Sequence, residues 1–211
     1  MAAYYYGSTE DKWKIVIHLH TCVAVVILVL GYLIFNSINK PVKFENTLNS
    51  RSEVIVAKLK DIRTAQNLFR NQNGRYTGSF DTLINFVKTG KIPEVKMIPD
   101  PNDTTNTRSI SDTIGFISIF DSIYSKKNYQ IEKLSEIPFS KGEKFSILAG
   151  KINKGGVDVS VFEVSARLEL YTKGLDKQLI VNRLKELEDR NKFPGLKVGS
   201  MTEASTDGNW E

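Results

Sequence analysis

Cysteine is nearly missing from this chain of 211 residues, where Cys22 stands alone. A disulfide framework is thereby excluded. Histidine is almost as scarce, with His18 and His20 as its two copies. Beyond Cys22 there is neither thiol nor imidazole. That part of the chain therefore cannot by itself build a Ser-His-Asp or Cys-His nucleophile, or a zinc site of the Cys/His kind. Six prolines and 14 glycines are too few for a collagenous or low-complexity chain. Charge of one sign is also in short supply. The net value of +5 comes from 29 basic and 24 acidic residues without a long Lys/Arg run. Nucleic acid is not an expected partner, and no cofactor is expected.

What the chain has in excess is one apolar block. Ile15 to Phe35 contains no Lys, Arg, Asp or Glu. As a helix it would rise about 31 Å, the thickness of a bilayer's hydrocarbon core. Aromatic residues bracket it, with Tyr4, Tyr5, Tyr6 and Trp13 before and Tyr32 and Phe35 near its end, as membrane interfaces favour. The block is too long for the core of a signal peptide, its leader carries Glu10 and Asp11, and no small-x-small cleavage site follows. The expectation is an uncleaved single-pass anchor in contact with membrane lipid. Lys12 and Lys14 on one flank and Lys40, Lys43 and Arg51 on the other give no firm orientation. The reading adopted is a cytoplasmic N-terminus with the C-terminal domain outside.

Within the block, His18 and Cys22 are four apart and share a helical face, the spacing of two metal ligands. His20 points about 200° round the helix from His18, so the three do not converge. A structural role is the reading taken, and no metal site is assigned.

The expected layout is a leader over 1–13, a transmembrane helix over 14–36, a juxtamembrane linker over 37–51 containing Pro41, a soluble α+β domain over 52–199, and a flexible tail over 200–211. From Ser52 the helical period is clear. Leu48, Ile55, Ile62 and Phe69 recur every seven residues, with Leu59 on the same seam and Ala57, Ala65 and Leu68 widening it. Lys58, Lys60, Asp61, Arg63 and Arg70 fill the other positions. Such a helix packs on its own domain or on a neighbouring copy. Ile55, Leu59, Ile62 and Phe69 are thus the candidate contacts between copies. Asn73-Gly74 ends the helix.

Ser79 is placed to cap a short helix from Phe80 to Lys88, closed by Gly90. Ile92 to Ile98 reads as extended and Pro99 to Thr113 as an exposed loop. Ile114 to Tyr124 fits either strand or helix. Lys144 to Ile152, a hairpin at Asn153-Lys154-Gly155-Gly156, and the alternating Val157, Val159 and Val161 predict antiparallel strands, with extended chain to Tyr171. Leu175, Leu179, Ile180, Leu184 and Leu187 mark a helix, and Leu196 to Val198 one more strand. Helices first and an antiparallel sheet afterwards give an α+β domain.

One stretch is less anonymous. An apolar N-terminal helix leads into an amphipathic one holding Ile62-Arg63-Thr64-Ala65-Gln66, then Phe69, Gly74-Arg75-Tyr76 and Leu83. This resembles the type IV pilin-like proteins and the pseudopilins of type II secretion, in which a sheet packs on the C-terminal half of the long helix. Those families begin with a glycine cleavage position and a glutamate five residues later. Here Gly7 is followed by Ser8-Thr9-Glu10-Asp11-Lys12, and the apolar block holds no glutamate. The layout also resembles the bitopic assembly-platform subunits of the same machines, with one span, a helical stalk and a small ferredoxin-like domain. Either resemblance implies a bacterial inner-membrane protein, periplasmic in its C-terminal domain, that self-associates or joins other envelope proteins.

Catalysis has little to stand on. Glu132, Glu136, Glu143, Glu163 and Glu169 are carboxylates without a spacing that pairs them, and charged residues alternating along strands usually form a solvated face. Gly150-Lys151 and Gly155-Gly156 lack the strand-to-helix context of a phosphate loop. Tyr76 is expected to pack over the sheet edge and Arg75 to cap helix carbonyls. Asp103-Thr104-Thr105 and Asp112-Thr113-Ile114 resemble a short O-glycosylation signal of bacterial export systems. The expectation is a non-enzymatic structural subunit, with a membrane-tethered binding or sensor module as the alternative.

Overall fold

A computed structural model describes residues 9–99, 109–127 and 130–211. The chain is a mixture of helix and antiparallel sheet that divides into two compact units, Met1–Leu48 and Asn49–Glu211. Helix α1 is assigned from Thr9 to Asn73.

In the first unit α1 is apolar around its circumference. Its best 18-residue window has a mean hydropathy of 2.3, and none of that window is buried. Ile15, Ile17, Ile27 and Tyr32 are each more than half exposed, on different sides of the helix. This is one long apolar N-terminal helix and a candidate membrane span. The stretch 37–51, expected to be a juxtamembrane linker, is helical instead. Pro41 lies inside the helix, where it removes one N–H and crowds the preceding turn at a cost of about 3 kcal/mol, and α1 continues past it. Phe44 and Leu48, four apart, are buried, so the seam begins one turn earlier than its sequence period indicated.

In the second unit the seam is fully committed. Ile55, Leu59, Ile62 and Ala65 are 0% exposed, and they share the core with Phe162, Val164, Ala166 and Val198 of the later strands. Ala57 is exposed, because it lies about 200° round the helix from Ile55. Lys58 and Asp61, expected on the wet side, are buried at the seam's flank, three residues on from Ile55 and one before Ile62.

Helix α2 spans Phe80–Thr89 and follows the sequence closely. The Ser79 hydroxyl accepts from the Thr82 N–H, and Phe80, Leu83 and Val87 turn inward. Gly90 closes it for a reason of space. A Cβ there would stand 2.5 Å from the Phe86 carbonyl oxygen and 2.6 Å from Ile119 Cδ1. Strands β1 (Lys91–Pro99) and β2 (Ser109–Ser118) form a separate two-stranded ribbon, with Ile114 as the extra residue of a bulge opposite Glu94 and Val95. Ser109 to Thr113, expected in a loop, is therefore strand, while 100–108, with Asp103, lies outside the described residues. The ambiguous segment divides. It is strand to Ser118 and a π-helical turn from Phe120 to Tyr124.

A 3-10 turn, Ile131–Ser135, leads to the main sheet, β3 (Ser146–Lys154), β4 (Val157–Arg167) and β5 (Gly195–Gly199), antiparallel in the order β3-β4-β5. Lys154 faces Val157, so Gly155-Gly156 is a two-residue turn. Chain expected to stay extended to Tyr171 leaves the sheet at Arg167 into the helical turn α3, Leu168–Tyr171, where Leu168 and Tyr171 are buried. Helix α4, Lys177–Asp189, starts on Asp176, whose carboxylate accepts from the Gln178 and Leu179 N–H groups.

The last residues are held, not loose. Gly199 N–H donates to Asp207 O (2.9 Å), Asn209 N–H to Lys197 O (3.0 Å), and Arg63 pairs with the Glu211 carboxylate (2.9 Å). A polar segment reads as a tail in sequence, but backbone groups along the β5 edge give it partners.

Gln66 explains a polar residue in an apolar seam. Wholly buried, it donates from Nε2 to the Thr77 carbonyl (2.7 Å) and accepts from the Thr77 N–H (3.1 Å), standing in for a strand partner. Replacing Gln66 with Leu keeps the volume and strands both Thr77 groups. The expected loss is about 1–3 kcal/mol for each group, measured by chemical denaturation of the detergent-solubilised chain. A variant as stable as the parent would show that these bonds contribute nothing.

Candidate functional site

The predicted contacts between copies lie in the domain's own core. Ile55, Leu59 and Ile62 are inaccessible and Phe69 is 7% exposed, its ring edge-on to Phe86 at 5.1 Å. While the domain is folded they do not reach a neighbour. Of the two packings left open by the sequence, the seam takes the first.

The polar groups of the apolar helix are occupied by their own backbone. His18 Nδ1 donates to Lys14 O and His20 Nδ1 to Val16 O, both at 2.7 Å, and the Thr21 hydroxyl reaches His18 O at 2.8 Å. Among the described residues no three His, Cys, Asp or Glu side chains gather as metal ligands do. The scattered carboxylates stay scattered. Glu132 pairs with Lys88 (2.5 Å), Glu143 with Lys173 (3.2 Å), Glu163 with Lys197 (3.2 Å) and Glu169 with Arg167 (3.9 Å).

Two constellations remain. The first is the buried Lys58, whose signal in the sequence was its helical offset from Ile55. Its ammonium donates to the carbonyls of Lys133 and Glu136 (2.6 Å to the latter), fastening the 3-10 turn to α1. Next to it Asp61 pairs with Lys127 (2.8 Å), and the Asp61 carbonyl accepts from the Tyr124 hydroxyl (2.8 Å). Burial pulls the Lys58 ammonium down to about 8, against the opposing pull of Glu136 and Asp61. Burial also pushes the Tyr171 phenol up to about 12 and the Tyr124 phenol higher still.

The second is the Gly-Arg-Tyr turn. Gly74, at φ 72°, donates its N–H to Arg70 O (2.7 Å), and the Asn73 amide donates to Phe69 O (2.9 Å), so the end of α1 is capped. Arg75, expected to do this, is not needed for it. Tyr76 is buried as expected, its ring 4.6 Å from that of Phe162 and 5.4 Å from the Arg70 guanidinium. Between this turn and β3 lies a cavity of about 370 Å³, lined by Arg75 and Lys151, by Thr77 and Thr82, and by Phe69 and Tyr76. Its charged lining is cationic throughout.

Comparison with protein families, with characterised proteins and with solved structures returns no match.

The Lys58 cluster sets a pH dependence of stability. An ammonium whose folded value lies below its unfolded one favours the unfolded chain while that chain binds the extra proton. Its stabilising contribution is present above about 10.5 and disappears as pH falls through about 8. The raised Tyr124 and Tyr171 act oppositely, because the unfolded phenols ionise from about pH 10 and the folded ones do not. Stability should rise from pH 8 towards 10 and fall beyond it. Lys58→Met should flatten the rising limb, as read from denaturation midpoints at each pH.

Proposed function

We propose that this chain is a single-pass membrane protein of the bacterial envelope, a non-catalytic structural subunit of the pilin or pseudopilin kind. One observation carries the reading. The first part of α1 is apolar on every side and uncovered, with a mean hydropathy of 2.3 over a window none of which is buried. A helix that is hydrophobic all round is at home in lipid, whereas a soluble core helix would be covered by its own protein. The same helix then carries a one-sided seam beneath an antiparallel sheet, the layout that the resemblance implies.

The alternative of an assembly-platform subunit is less well supported. A ferredoxin-like domain interleaves its strands in a split βαβ arrangement, whereas β3, β4 and β5 neighbour one another in chain order and β1-β2 form a separate ribbon. In the proposed orientation the second unit is periplasmic and the membrane is the inner one. Because the seam is consumed within the domain, contacts between copies run through the span.

Three measurements test this. The untruncated chain should sediment with membranes, resist alkaline carbonate and leave them with detergent. Cys22 is the single thiol and is exposed on the span, so oxidative cross-linking in native membranes should join two chains. Recovery in the supernatant would overturn the membrane reading. A chain that is monomeric both by cross-linking and by native mass spectrometry would overturn the subunit reading.

A further inference from the structure

From the cavity at the Gly-Arg-Tyr turn we infer a binding site for a phosphate group, held between Arg75 and Lys151. Three observations converge on it. Arg75 is the one described arginine with no hydrogen bond or ion pair among the described residues. The others are engaged: Arg51 by the Tyr171 and Lys173 carbonyls, Arg63 by Glu211, Arg70 by Tyr76, Arg167 by Glu169, and Arg183 and Arg190 by Glu186. Among the described residues Lys151 is likewise without a carboxylate, and no acidic side chain lines the cavity. Two positive charges are thus left facing one space with no counter-charge among the described residues.

The remaining lining suits the same ligand. Thr82 supplies a hydroxyl, and β3 is the edge strand of its sheet on the side where the cavity lies, with the Ala149 N–H 3.5 Å from a Cβ built on Gly78. Edge strands present backbone donors that have no strand to pair with. A guanidinium fork beside an ammonium matches the two charges and several acceptor oxygens of a phosphate better than the single charge of a carboxylate. A volume of about 370 Å³ exceeds what a bare phosphate fills and lies within the range of small-molecule sites. The ligand class is therefore a small phosphorylated molecule, its phosphate on the cations and its body towards Phe69 and Tyr76. This inference is independent of the membrane reading.

The test uses the full chain, ¹⁵N-labelled in detergent micelles, titrated with inorganic phosphate at constant ionic strength. The Gly78 and Gly150 amides and the Arg75 side-chain Nε–H should shift together and saturate in the millimolar range. Arg75→Gln and Lys151→Gln should each weaken binding about tenfold, and Arg75→Lys should recover only part of it, because a lysine keeps the charge without the fork. Both side chains are exposed, so these variants should fold, which the unchanged remainder of the spectrum verifies. Saturation by acetate at lower concentration than by phosphate would overturn the ligand class. Absence of saturation, equal shifts with chloride, or binding that survives the double variant would overturn the site.

Discussion

The face of α1 from Ile55 to Phe69 has to be removed from water, and the rest of the second unit is arranged by that requirement. Four of its apolar side chains reach complete burial, a cost in lost chain entropy that is offset only if other elements bring apolar surface to the same place. Phe162, Val164 and Ala166 do so from alternate positions of β4, the central strand, which is why β4 and not an edge strand carries the longest buried run. Helix α2 adds Phe80, Leu83 and Val87.

Packing alone would leave the long connections between these elements free to choose among registers. Polar groups rooted on α1 remove that freedom by reaching backbone far away in sequence. Arg51 takes the Tyr171 and Lys173 carbonyls, Lys58 those of Lys133 and Glu136, and Gln66 both polar groups of Thr77. Each of these bonds is directional, and each reaches a carbonyl or amide in a short helical turn or a loop. A buried group of that kind without a partner would cost about 1–3 kcal/mol. The helix therefore works as a core element through its seam and as a template through the seam's flanks.

Periodic features were legible from residues alone. The 3.6-residue pattern located α1, α2 and α4, the alternation of Val157, Val159 and Val161 located β4, and turn chemistry placed the Gly155-Gly156 hairpin. The failures have a common cause. Pro41 and its polar neighbours looked like a break because local propensity was read without the buried Phe44 and Leu48 that continue the helix. Residues 200–211 looked loose because their partners, the β5 edge and Arg63, are distant in sequence. Lys58 was placed in water because it is a lysine, although its angular position beside Ile55 pointed inward. The cavity was hidden for the same reason, since Arg75 and Lys151 meet only after β3 has been brought beside the turn that follows α1.

That meeting bears on what the Gly-Arg-Tyr turn is for. A turn needs the glycine for its left-handed backbone and the tyrosine for its packing on Phe162, and both are used that way here. Arginine contributes to neither. With the helix end already capped by Gly74 and Asn73, the Arg75 guanidinium keeps five donors unspent among the described residues, where the other arginines are all engaged. On an open convex surface water would satisfy such a group and nothing would follow. Here it stands in a concave space beside a second cation, where the two raise each other's cost of being left without an anion, and the attraction for one grows with every carboxylate the lining lacks.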